Sequence, residues 1–155
     1  MQEPLDDMRI LDVLTILSTG LMIGNELCVS LFVNPAIWQL DDGAQKKALS
    51  LLARSLGRVM PIWYASCLVL LSVETYVRRH EPDRGLLLSA VVIWIAVIIF
   101  TIFALVPINN RIAGLTTGSA DGSWREEHKR WDTLHRGRVL LLIAAMVCMM
   151  SAILA

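Results

Sequence analysis

Residues 86–106, "LLLSAVVIWIAVIIFTIFALV", decide the fold of this chain. The stretch carries no charged side chain and has no polar face. A helix needs about 20 apolar residues to cross the hydrocarbon core of a bilayer. A helix that is apolar on every side belongs in lipid rather than on the surface of a soluble domain. The stretch therefore predicts a membrane-spanning helix.

Three other apolar runs complete the set. The four runs predict spans at about residues 10–33, 59–77, 86–106 and 135–155, the last of which begins in a polar lead-in. The 155-residue chain is 55% hydrophobic and 18% charged, which is more apolar and less charged than a typical soluble domain. We therefore expect an all-α fold in which residues 1–155 form a single transmembrane domain, an integral membrane four-helix bundle.

The connections between the spans differ in character. Residues 34–58 contain Pro35, the turn "DDG" and the segment "AQKKALSLLARSLGR" (44–58), which predicts a short amphipathic surface helix between spans one and two. Residues 107–138 include "LTTGSADGS" (115–123), which predicts a flexible loop, and then a charged helix that leads into the last span.

Lys and Arg residues are distributed unequally between the two sides of the bundle. The connections 34–58 and 107–138 carry ten of them, whereas the N-terminal tail and the turn 78–85 carry four. The positive-inside rule then places both connections in the cytoplasm. We expect a protein of the bacterial inner membrane. The formal net charge of zero and the lack of a basic tract argue against a nucleic-acid partner.

The first span contains a carboxylate. Glu26 lies inside "LMIGNELCVSLF" (21–32), and a carboxylate at the centre of a membrane helix costs about 2.5–3.5 kcal/mol. Thr15, Thr19 and Ser30 share a helix face with it. The pattern predicts that this polar face lies inside the bundle, toward a cavity or a partner.

Two interpretations of Glu26 remain open on the sequence. The carboxylate could be structural and pair with an arginine such as Arg58 or Arg138. Alternatively, it could be poised as a base, or held neutral, in an apolar pocket. Its neighbour Asn25 lies about 100° round the helix and is expected to bond an adjacent helix.

The first span also carries two glycines four residues apart. Gly20 and Gly24 lie nearly opposite Glu26, and small residues at this spacing let another helix approach closely. We expect this face to pack against a helix. A homo-oligomer is left open.

The stretch "VPINNR" (106–111) follows the third apolar run. Pro107 disfavours α geometry at Val106 and is expected to end or kink the helix. Asn109 and Asn110 can satisfy the carbonyls freed there. Since two amides occur in succession, we expect at least one of them to face the bundle.

The lead-in to the last span carries a single helical stripe. Its members Trp124, His128, Trp131, His135 and Arg138 recur at spacings of four, three, four and three residues. An interfacial belt would account for Trp124 and His128. It fits His135 and Arg138 less well, because these residues lie deepest. His135 at the mouth of an apolar pocket would suit general acid–base chemistry.

A metal site is the lesser alternative. Glu26, His128 and His135 could supply two imidazoles and a carboxylate, but the two histidines are two helical turns, about 10 Å, apart. We predict no cofactor and no metal ligands, and keep a metal ion as the less favoured option.

Four stretches carry a family resemblance: "FVNPAIWQL", "LGRVMPIWY", "VPINNRI" and "RWDTLHRGRVLLLIAA". With them the chain resembles the anthrone-oxygenase-like family of small four-span membrane proteins. The resemblance implies an oxygenase that converts an anthrone-type aromatic substrate to its quinone without an organic cofactor. On that basis the positions implied are Asn109, Asn110, Trp131, His135 and Arg138.

We therefore predict a membrane-embedded oxidoreductase that acts on a lipophilic, aromatic substrate. His135 or Glu26 would remove a proton, and the carbanion would react with oxygen. The predicted substrate-binding residues are Asn109, Asn110, Trp131, Arg138, Asn25 and Arg58. The alternative is a non-catalytic membrane protein that binds a lipophilic ligand or partner helices, with the same residues as structural contacts. Membrane lipids are partners in either case.

Overall fold

The structure, a computed structural model, describes residues 3–115 and 123–155. In these two ranges the chain forms four long helices. The first helix (α1) runs over Glu3–Cys28 and continues through a π-helical turn, Val29–Val33, into Asn34–Ile37. The second (α2) is Asp42–Val77 and the fourth (α4) is Ser123–Ile153. The third (α3) runs over Arg84–Phe100 and continues through a π-helical turn, Thr101–Leu105, into Val106–Ala113. Most of the predicted flexible loop, residues 116–122, lies outside the described residues.

Each of these helices is long and apolar enough to cross a membrane. Their outer faces carry large apolar side chains, including Phe103 at 78% exposure and Ile62 at 71%. Such a surface is compatible with lipid and would be unfavourable in water. The prediction of an all-α integral membrane four-helix bundle is confirmed.

The helices pack as a ring in chain order. α1 contacts α2 and α4, and α3 contacts the same two helices, with the most extensive contact between α3 and α4. Short connections between neighbours give an up-down arrangement. The main core is apolar and includes Met22, Cys67, Leu71, Leu87, Trp94, Leu142 and Met149. A smaller cluster closes one end of the bundle and consists of Ile37, Leu49, Ile108, Ile112 and Trp124.

The amphipathic segment 44–58 is helical, as expected, but it is not a separate element. It forms the first half of α2, which continues through Pro61. Leu49 is buried against the end of the bundle, so one face of this segment packs on protein.

Pro107 does not end the third helix, which was one of the two outcomes expected of it. Val106 keeps α-helical angles (φ −59°, ψ −42°), and the chain continues as a helix to Ala113. A π-helical turn immediately precedes Val106, as another precedes Asn34-Pro35. The altered hydrogen-bond register of such a turn accommodates a residue without an N–H group. The extension carries Asn109 and Asn110 on a helix rather than on a loop.

Gly20 and Gly24 have different environments. A Cβ at Gly20 would lie 3.4 Å from the terminal methyl of Met146, whereas one at Gly24 would meet no atom within 4 Å. Only the first of the two therefore packs against a helix as predicted, and Gly24 is exposed on the outer face of α1.

Candidate functional site

A cavity of about 570 Å³ lies between the main core and the smaller end cluster. All four helices contribute to its lining. Much of the wall is apolar, including Leu49, Leu52, Leu56, Leu68, Ile98 and Ile112. A cavity of this size and character is typical of a site for a drug-sized lipophilic molecule.

The cavity brings together seven of the eight residues predicted as the site: Glu26, His135, Asn25, Asn109, Asn110, Trp131 and Arg138. Arg58 is the exception, because it is exposed and is not part of the lining. On α2 the lining follows Gly57, Pro61 and Tyr64, and Arg58 lies about 100° round the helix from Gly57.

Glu26 is the centre of the polar cluster. It is 2% exposed, and its Oε2 accepts a hydrogen bond of 2.6 Å from Nη2 of Arg138. Its Oε1 accepts a hydrogen bond of 3.0 Å from the hydroxyl of Tyr64. Thr15, Thr19 and Ser30 are buried on the same helix face, as predicted. The carboxylate is therefore ion-paired and also lines the cavity, so both sequence interpretations describe part of its environment.

His135 is held by two protein groups. Its Nε2 lies 3.2 Å from the backbone carbonyl oxygen of Glu26, and its Nδ1 lies 2.9 Å from Nη2 of Arg138. A carbonyl can only accept and a guanidinium N–H can only donate, so the proton belongs on Nε2 and the lone pair on Nδ1. The single lone pair of His135 is therefore already engaged.

Arg138, which lies on α4, contacts residues on each of the other three helices. Besides Glu26 on α1, it donates from Nη1 to Oγ1 of Thr101 on α3 at 3.4 Å, and its guanidinium carbon lies 5.6 Å from the centre of the Tyr64 ring on α2. Its Nε is buried without a hydrogen-bond partner in the protein. Removing water from a charged donor is costly unless it is paired, so this unpaired N–H is unfavourable in the absence of a further partner.

Two histidines of the cavity lining each stack on a tryptophan. Trp131 stacks on His135 with ring centres 4.5 Å apart, and Trp38 stacks on His128 at 4.4 Å. His128 is fully buried, and neither of its ring nitrogens has a hydrogen-bond partner in the protein. Each unpaired buried polar group costs about 1–3 kcal/mol.

His128 and Trp124 are both buried inside the bundle. The interpretation of these two residues as part of an interfacial belt is therefore wrong.

A second polar group lies beside the cavity. Nδ2 of Asn34 donates to Oδ1 of Asp132 at 2.9 Å, and Nη2 of Arg136 donates to Oδ2 of the same carboxylate at 2.8 Å. Asn34 and Asp132 are buried, whereas the Arg136 side chain is 60% exposed. This cluster ties the end of α1 to α4 and has a structural role.

The cavity opens sideways between α2 and α3. Gly57, Pro61 and Ala65 on α2, with Ile102 and Val106 on α3, are exposed at the surface and also line the cavity. These residues belong to the apolar parts of their helices. The rim of the opening is therefore largely apolar.

The remaining predicted residues have weaker individual roles. The side chain of Asn25 donates to Sδ of Met60 at 3.6 Å, which ties α1 to α2 as expected. Asn109 is half-buried and Asn110 is exposed, and both line the cavity. Sequence reasoning missed Tyr64 and Thr101 as members of the site. His128 was placed on the helical stripe with Trp131, His135 and Arg138 but was not predicted as a substrate-binding residue.

The candidate metal set does not assemble. Throughout residues 3–115 and 123–155, no group of three or more His, Cys, Asp or Glu side chains lies close enough to hold one ion. His128 and His135 stack on different tryptophans, Trp38 and Trp131, two turns apart. These residues do not fit a metal site made by Glu26 and both histidines.

The fold and the cavity define the class: a small integral membrane protein with a polar cluster enclosed among its spans. A sequence model described as Anthrone oxygenase matches residues 49–148. The match covers most of the chain, so the protein belongs to the anthrone oxygenase family, as the sequence resemblance implied. No curated protein and no solved structure matches the chain. The matched region includes His135 and Arg138 but not α1, which supplies Glu26.

Proposed function

We propose that the protein is a membrane-embedded oxygenase that converts the methylene group of a lipophilic, anthrone-like aromatic substrate to a carbonyl. The observation that carries the proposal is the Glu26–Arg138 ion pair on the wall of a largely apolar cavity. Family membership supports the same reaction class. The largely apolar rim of the opening suits a substrate that partitions into the bilayer.

In this proposal Glu26 removes the proton. A carboxylate has about four lone-pair positions, and those of Glu26 are not exhausted by Tyr64 and Arg138. His135 offers one lone pair, which Arg138 already engages. His135 therefore acts as a positioning residue that holds the backbone of Glu26 and the guanidinium of Arg138. This narrows the sequence prediction, which left His135 and Glu26 as alternatives.

Removal of the proton leaves negative charge on the ring carbon and, by delocalisation, on the carbonyl oxygen across the ring. The free Nε–H of Arg138 and the amides of Asn109 and Asn110 are suited to stabilise that oxygen. Donors fixed in a water-poor site stabilise developing charge more strongly than solvent does.

Dioxygen is the oxidant and balances the reaction. The carbanion forms a C–O bond with O₂, and the protonated Glu26 returns its proton to give a hydroperoxide. Loss of the second C–H proton to Glu26 forms the carbonyl as the O–O bond breaks, and the departing hydroxide takes that proton. The sum is one methylene group and one O₂ giving one carbonyl and one water.

The test is oxygen uptake by the purified protein in detergent with anthrone as substrate. We expect one O₂ consumed per quinone formed, with one ¹⁸O atom from ¹⁸O₂ in the product. Glu26→Gln should lower the rate by about 10²–10⁴-fold. Glu74→Gln is the matched control, because Glu74 is also buried and paired with an arginine, at the other end of the bundle. A wild-type rate equal to the detergent blank would exclude the proposal.

The second candidate is a non-catalytic protein that binds a lipophilic ligand. The observation that favours it is the close Glu26–Arg138 contact, since a buried ion pair can be purely structural. In that case the wild-type protein would bind anthraquinone but would not accelerate oxygen uptake.

We further propose the topology given by the Lys and Arg distribution: a bacterial inner-membrane protein with residues 34–58 and 107–138 on the cytoplasmic side. Single cysteines in a cysteine-free background test it. A cysteine at Lys47 should be labelled by an impermeant thiol reagent only after the cells are opened, whereas one at His80 should be labelled in intact cells. The reverse pattern would contradict this orientation.

A further inference from the structure

His128 has a buried imidazole that the proposed reaction does not use. It lines the cavity two helical turns, about 10 Å, from His135 on the same stripe of α4. His135 has protein partners at both ring nitrogens, whereas His128 has none at either. A neutral imidazole offers one donor and one acceptor, so both remain for a bound molecule.

The surroundings of His128 hold its ring without satisfying it. Trp38 stacks on the imidazole with an interplanar angle of 11°. The carboxylate one helical turn after His128, that of Asp132, is already bonded to Asn34 and Arg136. Leu49, Leu52 and Ile112 make this end of the cavity apolar. The ring is therefore held by stacking on Trp38, and neither of its nitrogens has a hydrogen-bond partner in the protein.

Trp131 adds a second free donor in the same region. Its indole N–H is buried without a hydrogen-bond partner in the protein, and the residue lines the cavity between His128 and His135 along α4. A hydroxyl group could donate to the imidazole lone pair and accept from the indole N–H. Such a group would pair one nitrogen of His128 and the indole nitrogen of Trp131.

We propose that His128 and Trp131 bind a hydroxyl group at the outer ring of the cavity's aromatic ligand, remote from the Glu26–Arg138 pair. The ligand class is then a flat lipophile with oxygen at both ends, one oxygen at Arg138 and a phenolic hydroxyl at His128. This inference rests on the proposed function only in requiring that the cavity binds an aromatic lipophile. It does not require turnover.

Equilibrium binding of two quinones to the full-length protein in detergent tests the proposal. The probes are anthraquinone and 2-hydroxyanthraquinone, neither of which has the methylene group that reacts. The wild type should bind the hydroxylated probe about tenfold more tightly, the ratio that corresponds to one net hydrogen bond of about 1.4 kcal/mol. His128→Phe retains an aromatic ring for Trp38 and should abolish this preference without changing the affinity for anthraquinone.

Two further variants make the result specific. His128→Asn retains a polar amide and should retain part of the preference. His80→Phe makes the same chemical change at an exposed position in the turn at the opposite end of the bundle, and should leave both affinities unchanged. If His128→Phe does not fold, His128→Asn and Trp131→Phe carry the test, and each should reduce the preference.

The outcomes separate this inference from the proposed function. Equal affinities of the wild type for the two probes, or equal losses for both in His128→Phe, would overturn the inference and leave the oxygenase proposal standing. Failure of the wild type to bind either probe would overturn both. If the wild type prefers the hydroxylated probe but shows no oxygen uptake with anthrone, the inference is supported and the oxygenase proposal is excluded.

Discussion

Oε2 of Glu26 and Nη2 of Arg138 lie 2.6 Å apart, although the two residues are separated by 112 positions in the chain. The pair joins the first and last helices of the bundle beside an open cavity. Charges in hydrocarbon are tolerated when they are paired and hydrogen-bonded, and here Tyr64 and Thr101 supply further bonds. The ion pair therefore explains how a carboxylate is kept inside a span while it still lines a binding site.

Removing Arg138 should destabilise the protein. Arg138→Gln leaves the buried Glu26 carboxylate without its cation, and breaking a buried pair in this way costs about 3–5 kcal/mol. We expect a clear fall in the thermal unfolding temperature of the purified protein in detergent. Combining it with Glu26→Gln should restore part of the loss, because no unpaired charge then remains.

The control for that measurement is Arg125→Gln. Arg125 also pairs with a carboxylate, that of Asp42, but both side chains are more than half exposed, so its loss should cost less than about 1 kcal/mol. Similar unfolding temperatures for the two arginine variants would contradict the importance assigned to the Glu26–Arg138 pair.

Replacing His135 should change the rate more than the binding of substrate. His135→Phe keeps a ring for stacking on Trp131 but loses the bonds to the Glu26 carbonyl and to Arg138. We expect kcat for anthrone oxidation to fall by about tenfold or more, as for a misplaced catalytic group, with KM nearly unchanged. A large rise in KM at constant kcat would instead make His135 a substrate contact.

Narrowing the lateral opening should impede substrate entry. A Cβ at Gly57 would meet no atom within 4 Å, so Gly57→Leu adds a side chain at the mouth of the cavity without a clash in the core. We expect KM to rise several-fold while the unfolding temperature is maintained or increased, since Leu favours helix. Gly24→Leu is the matched control, because Gly24 is equally open on α1 but does not line the cavity. Equal kinetics for the two variants would argue against entry between α2 and α3.

The opposite end of the bundle should be important for stability alone. Arg78 contacts three carboxylates, those of Asp12 at 2.9 Å, Glu74 at 2.8 Å and Glu81 at 2.9 Å, and Glu74 is 1% exposed. Arg78→Met should lower the unfolding temperature about as much as Arg138→Gln does. The specific activity of the remaining folded protein should equal that of the wild type. Loss of activity per folded molecule would show that this end communicates with the cavity.

The helical architecture follows from the sequence because it depends on a local property. The 21 residues of "LLLSAVVIWIAVIIFTIFALV" carry no charge and predict a spanning helix whatever their neighbours are. Periodicity also oriented the helices correctly, since Glu26 and the stripe from His128 to Arg138 face inward at 3.6 residues per turn. Proline positions were less informative, because α2 continues through Pro61 and α3 continues through Pro107 after a π-helical turn.

The membership of the site was only partly determined by the sequence. Spacing within one helix identified His135 and Arg138 as neighbours. The sequence left two arginines, Arg58 and Arg138, as possible partners for Glu26. Only the tertiary structure decided between them, because the choice depends on how α1 is rotated and where it lies relative to α2 and α4. The same packing brought in Tyr64 and left the nitrogens of His128 unpaired. Periodicity fixes which face of a helix is buried, but contacts between helices fix which side chain it meets there.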